Sequence, residues 1–169
     1  VVTGLRPSIG VRIEKSRCGV TVMNGVISNF FDRAIDMSEN ANISLQNLTL
    51  ANTQYGIYAI LVGNLSCSSI ALVNTRANGV YGKNLSMSSF QDIAITTVSD
   101  PLFSLYTFTG FNLDTPSKSV FNNCTIQGIS CSVSLYGFSI SQGDTSTFKN
   151  CICSGNTAPV CVGFYATGG

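Results

Sequence analysis

Apolar and polar positions alternate along this chain in short runs, and one six-residue arrangement recurs six times. The copies are Met23–Ser28, Leu45–Leu50, Cys67–Leu72, Phe90–Ile95, Phe121–Ile126 and Phe148–Cys153. Each reads apolar, two mostly polar or small residues, apolar, any residue and apolar, with Ser28 the exception at the last place. Their first residues lie 22, 22, 23, 31 and 27 apart, a period in the range of solenoid repeats. A small-apolar-variable triplet keeps step with them: Ala34-Ile35-Asp36, Gly56-Ile57-Tyr58, Gly79-Val80-Tyr81, Leu102-Phe103-Ser104, Gly137-Phe138-Ser139 and Gly163-Phe164-Tyr165. A third correspondence links Asn42-Ile43-Ser44, Asn64-Leu65-Ser66 and Asn84-Leu85-Ser86. Alternation over three to five residues predicts short strands, because successive side chains point to opposite faces. The Asn, Ser, Thr and Gly clusters between them predict turns. No segment carries the 3.6-residue apolar stripe of a helix.

Three short strands per unit and a period near 22 describe one rung of a right-handed parallel β-helix. A left-handed hexapeptide helix would need strict six-residue spacing, which is absent. On these motifs the chain resembles the pectin-lyase-like right-handed β-helix superfamily over roughly residues 20 to 169. The resemblance implies an all-β solenoid of about six to seven rungs of 22–31 residues. That fold is shared by lyases, hydrolases, phage tailspikes, adhesins and viral or cell-surface structural proteins, so it implies no single activity. Residues 1–19 are expected to form an N-terminal edge or cap, and 20–169 the β-helix domain of a longer or processed chain.

The motif columns predict the packing. Met23, Leu45, Cys67, Phe90, Phe121 and Phe148 form one inward stack, Val26, Leu48, Ile70, Ile93, Cys124 and Cys151 a second. Ser28, Leu50, Leu72, Ile95, Ile126 and Cys153 form a third. Rungs about 4.8 Å apart give a rod core of roughly 25–30 Å. Two columns point outward: Ile27, Thr49, Ala71, Ala94, Thr125 and Ile152, and Asp36, Tyr58, Tyr81, Ser104, Ser139 and Tyr165. Rungs four and five carry insertions at Asp100–Ser119 and between Ile126 and Tyr136.

Composition narrows the functional classes. The 169 residues are 44% hydrophobic but only 10% charged, with net charge +1. Nucleic acid needs a concentrated basic surface and is not an expected partner. No apolar run is long enough to span a membrane. Seven cysteines, at 18, 67, 124, 131, 151, 153 and 161, fall partly on inward columns. Three readings stand: buried apolar residues in ladders, disulfides such as Cys124–Cys151, or a metal site, which Cys151-Ile152-Cys153 fits poorly. The odd count points to mostly reduced thiols. Five sequons, at Asn42, Asn47, Asn64, Asn84 and Asn123, also occupy turns, where Asn is favoured for its own hydrogen bonding.

The chain has no His, which removes the usual general base and any Ser-His or Cys-His nucleophile. Enzymes of the β-helix class pair carboxylates on adjacent rungs or gather them around calcium. Here Asp92 stands alone among Asn47, Ser69, Asn123 and Asn150. Asp32, Asp36 and Glu39 share one turn with Arg33 and read as a solvated corner. No catalytic residue, metal ligand or cofactor is assigned. The candidate ligand-binding residues are Tyr55, Tyr58 and Tyr81, because aromatic side chains on one flat face can bind a glycan or anchor a protein. The expected function is a non-enzymatic structural or adhesive module of a virion, tail fibre, spike or cell surface. Its partners would be protein neighbours or further copies of itself. The alternative is a protein that binds or degrades polysaccharide.

Overall fold

The computed structural model describes residues 8–96, 105–142 and 145–168. They form a parallel β-solenoid of about six turns, with no helix among the described residues. The strands are β1 (Ile9–Glu14), β2 (Val20–Ser28), β3 (Arg33–Lys83), β4 (Ser89–Thr96), β5 (Leu105–Asp114), β6 (Ser119–Asn122), β7 (Thr125–Gln127), β8 (Cys131–Ser141), β9 (Ser146–Lys149), β10 (Ile152–Ser154) and β11 (Val160–Thr167). Every pairing is parallel. β3 is a 51-residue ribbon that winds through more than two turns without losing its ladder.

The chain turns at four rows of corners, each held at a left-handed φ of 49–67°. The first row is Asn24, Asn47, Ser69, Asp92, Asn123 and Asn150; the second is Asn29, Asn52, Asn74, Gly128 and Gly155. The third is Lys15, Glu39, Leu61, Asn84, Thr115 and Gln142; the fourth is Asn42, Asn64, Met87 and Lys118. Asn tolerates this φ better than other residues with a Cβ, and its side chain then serves a second purpose. Several of these amides donate back to the preceding rung: Asn47 Nδ2 to Asn24 Oδ1 at 2.9 Å, Asn52 to Asn29 at 2.9 Å, Asn64 to Asn42 at 2.9 Å. Asn123 donates likewise to Asp92 at 2.8 Å. The outer edges of the rod are therefore stitched by side-chain ladders.

The core follows the predicted columns from the second rung onward. Cys67 pairs with Phe90, Phe90 with Phe121 and Phe121 with Phe148. The rings stack at 5.1 Å (Phe90–Phe121) and 4.6 Å (Phe121–Phe148). A facing column, Phe111–Phe138–Phe164, stacks at 5.0 and 4.8 Å and meets the first edge-on. Offset stacking within columns and edge-to-face contact between them are both favoured by the ring quadrupole.

Three expectations are corrected. In the first rung the register is shifted by one: Val22 pairs with Leu45, Gly25 with Leu48 and Ile27 with Leu50. A one-residue slip reverses every side chain, so Met23 is 50% and Val26 71% exposed. Val26, not Ile27, thus belongs to the smooth outward column, and Ile27 replaces Ser28 inside. In the fourth rung the triplet is Gly110-Phe111-Asn112, since Val80 pairs with Phe111 and Phe111 with Phe138. Leu102-Phe103-Ser104 lies outside the described residues. The reason is steric: a Cβ on Gly79 would stand 2.7 Å from Gly110 O, and one on Gly110 2.6 Å from Gly137 O. Only a very small residue fits that row. Finally, Asn84 is not equivalent to Asn64. Gly63 bridges Ser86, which brings Met87 onto Asn64 and leaves Asn84 in the third corner row, where Thr115 Oγ1 donates to its Oδ1.

The insertion at Asp100–Ser119 is, where described, a strand of the rod: β5 pairs with β3 on one side and β8 on the other. Its Phe108 and Phe111 are fully buried. Within 1–19, β1 pairs with Arg33–Ser38 and continues the same ladder.

Candidate functional site: a tyrosine and ion-pair face

The long side of each turn, between the second and third corner rows, carries most of the reactive side chains. β1 places Arg12 beside Asp36, and the same outward row continues through Tyr58, Tyr81, Asn112 and Ser139. Because each rung repeats the last at strand spacing, residues 22–23 apart in sequence become neighbours in space.

The three predicted tyrosines come together. Tyr58 and Tyr81 stack at 4.7 Å with an interplanar angle of 18°. Tyr55 meets both edge-on, at 5.5 and 6.4 Å. The Arg33 guanidinium sits 3.7 Å from the Tyr58 ring centre, a cation–π contact. Two groups at those distances cannot share one face, so Tyr58 lies between Arg33 and Tyr81. Its ring offers solvent an edge rather than a face. Burial pushes the Tyr58 hydroxyl above its ordinary value, with Arg33 pulling it back and Tyr81 adding to the rise.

The Asp36 corner is not solvated, contrary to the reading from sequence. Asp36 is 7% exposed. Its Oδ1 accepts from Arg33 Nη1 at 2.8 Å, and its Oδ2 is 3.3 Å from Arg12 Nε. Arg33 also approaches Asp32 at 3.5 Å, without an aligned hydrogen bond from Nε. Burial of a carboxylate is costly unless it is paired, and here two guanidinium groups converge on it. Past Tyr81, Lys83 Nζ lies 3.0 Å from Asp114 Oδ2, and Ser141 Oγ donates to Asp114 Oδ1 at 3.2 Å. The lysine hydrogen bond holds the Asp114 carboxyl below the usual range and raises the Lys83 ammonium.

Chemically, this face has few free acid–base groups. Glu14, Asp32, Asp36 and Asp114 each face a cation. Asp92 is engaged by Asn123 and by Gln91 at 3.2 Å. Among the described residues no group of three or more His, Cys, Asp or Glu could hold a metal ion. All seven cysteines are free thiols. Cys67 and Cys124 are buried in the core, as their columns predict. Burial raises the Cys67 thiol, pushes Cys124 up to about 12 and Cys131 up to about 11. These are packing residues, far from the lowered pKa of a reactive thiol.

Sequence reading found the tyrosines but missed their cationic frame. Arg12 would have been found had residues 9–14 been aligned as a rung, since Gly10-Val11-Arg12 repeats the Ala34-Ile35-Asp36 triplet. Lys83 and Asp114 carried no signal, because their proximity depends on the true length of the fourth rung.

No helix among the described residues is long and apolar enough to cross a membrane. No protein-family model, curated protein or solved structure matches the chain.

Proposed function

We propose that the protein is a non-enzymatic structural or adhesive module, of the kind that forms part of a virion, tail fibre, spike or cell surface. Its solenoid would then be a right-handed β-helix of the pectin-lyase-like type. One observation carries this reading: on the most polar face the carboxylates are held by arginine and lysine. Glycoside hydrolysis needs two carboxyl groups flanking the bond, one a proton donor and one a base or nucleophile. An Asp36 clamped by Arg33 and Arg12 serves neither role well. The side-chain ladders supply rigidity along the axis instead, the property a spacer or scaffold uses.

A second reading is favoured by the clustering of Tyr55, Tyr58 and Tyr81: a glycan-binding rod. The buried ring faces of Tyr58 weigh against sugar stacking there, so a glycan would have to use hydroxyls and ring edges. Native electrophoresis through gels cast with different polysaccharides separates the two. Retardation that vanishes in Tyr58→Ala/Tyr81→Ala supports glycan binding, and a cleared zone would refute the non-enzymatic reading.

A further inference from the structure

In the middle of the rod, the outward row that carries Tyr58 and Tyr81 continues through Asn112 and Ser139, so its side chains shorten abruptly after Tyr81. Tyr58 is enclosed between Arg33 and Tyr81. Tyr81 is not enclosed. One face of its ring lies on Tyr58, and Tyr55 meets it edge-on at 6.4 Å. Its other face looks along the rod over Asn112, its partner on the next strand. No ring or guanidinium among the described residues stacks on that face. An Asn side chain ends well short of a tyrosine ring, so Tyr81 stands as a step above the two rungs that follow. At about 4.8 Å per rung, Asn112 and Ser139 leave a notch about 10 Å wide beside it. The polar groups of its floor are unused. Asn112 and Ser139 are half-buried, and neither side chain makes a hydrogen bond among the described residues, whereas shielded polar side chains as a rule find a partner. Along one margin, two residues further on the same outward faces, runs the Lys83–Asp114 pair with Ser141 behind it.

We propose that this notch is a subsite for one neutral pyranose ring of a glycan, stacked on the open face of Tyr81 and hydrogen-bonded to Asn112 and Ser139. The C–H face of a sugar ring needs an apolar platform, and its hydroxyls need donors and acceptors around the rim. Tyr81 supplies the first. The Asn112 amide supplies both donors and an acceptor, and the Ser139 hydroxyl one donor with acceptor capacity. Each Asp114 oxygen, already bonded once to Lys83 or Ser141, keeps room for a second donor, which a sugar hydroxyl fills. The sign of the margin selects against charge on the ligand. Lys83 is engaged by Asp114, so a uronic acid would gain no free cation there and would meet the Asp114 carboxylate. A neutral sugar meets no such repulsion. The inference rests on the glycan-binding reading above and locates it, on the open face of Tyr81 rather than at Tyr58.

The test is native electrophoresis of the 169-residue chain through gels cast with xylan, mannan, galactan, a β-glucan or polygalacturonate. Asn112→Tyr fills the notch by extending the tyrosine column one rung. Asn112→Asp keeps the side-chain shape but removes the amide donors, and it repeats the test should Asn112→Tyr alter the circular dichroism spectrum. Ala94→Tyr places the same new ring on another side of the rod, between the first two corner rows. The wild-type chain is expected to be retarded by at least one neutral polymer and not by polygalacturonate. Both Asn112 variants are expected to lose that retardation, and Ala94→Tyr to keep it. Retardation that is lost in Tyr58→Ala/Tyr81→Ala but survives both Asn112 variants would overturn this subsite and leave the glycan-binding reading standing. Unaltered migration of the wild-type chain in every gel would overturn both. Retardation by polygalacturonate that depends on Asn112, or loss of retardation in Ala94→Tyr as well, would overturn the neutral ligand or the location.

Discussion

Phe121 sits at the crossing of both aromatic columns, and truncating it is the sharpest test of how this rod is held together. The ring is fully buried. It stacks on Phe90 and Phe148 and meets Phe111 and Phe138 edge-on, at 5.3 and 5.8 Å. Phe→Ala in a closed core costs about 3–5 kcal/mol through lost transfer energy and the cavity left behind. Four ring partners place Phe121→Ala at the upper end, about 4–5 kcal/mol, since each aromatic pair adds a fraction of a kcal/mol or more beyond area. Phe164 is a control of the same chemistry. It is half exposed, and its ring partners among the described residues are Phe138 and Phe148, so Phe164→Ala should cost about 1–2 kcal/mol. Both values come from guanidinium unfolding followed by far-ultraviolet circular dichroism. Stability in a solenoid is a sum over neighbouring turns, so Phe121→Ala should also broaden the transition as the two flanking blocks uncouple. A cost below about 2 kcal/mol, or equal costs for the two variants, would refute the two-column core.

Leu50 is fully buried between Ile27 and Leu72; Leu50→Asp should lose more than about 4 kcal/mol, and an unchanged melting temperature would contradict the register. With a chromogenic disulfide reagent at pH 8, Cys18 and Cys161 should react quickly in the native protein, because both are exposed. Cys124, pushed up to about 12, should be ionised in only about one part in ten thousand at that pH and stay silent until denaturant is added. Leu61 holds a φ of 56° while 50% exposed; Leu61→Asn should stabilise by about 0.5–1 kcal/mol and give Asn84 a ladder acceptor, with a fall in melting temperature counting against this account of the corner. Asp114 has its carboxyl lowered by Lys83, so its contribution is present above about pH 4 and fades as pH falls through the lowered value. Lys83→Met should flatten that part of the stability–pH curve.

Where repeats were of even length, the sequence pattern led straight to the structure. Leu45, Cys67 and Phe90 are spaced 22 and 23 apart and stack as their motif implies. The first rung failed because Met23 and Val26 imitate the apolar positions one residue out of phase. Ser28, polar at an inward place, was the visible warning. The fourth rung failed because an insertion lets two triplets compete, and only the backbone crowding at Gly79 and Gly137 selects Gly110. The tyrosine cluster was legible because two Tyr fall in one column. Its ion-pair frame was not, because Arg12, Lys83 and Asp114 become neighbours only once each rung's length is known.

The corner rows also act as a measuring stick for the chain. From the fourth row to the first the step is always five residues, as in Asn42 to Asn47, Asn64 to Ser69, Met87 to Asp92 and Lys118 to Asn123. From the first row to the second it is five again, from Asn24 to Asn29 through Asn150 to Gly155. Among the described corners only the path from the second row to the third varies, for example nine residues between Asn52 and Leu61 and fourteen between Gly128 and Gln142. Two sides of the rod thus have a fixed gauge, and one side absorbs all differences in length. A foreign peptide grafted just after Asn74 or Gly128 would lengthen that side alone, leaving the stitched edges and the Phe columns untouched.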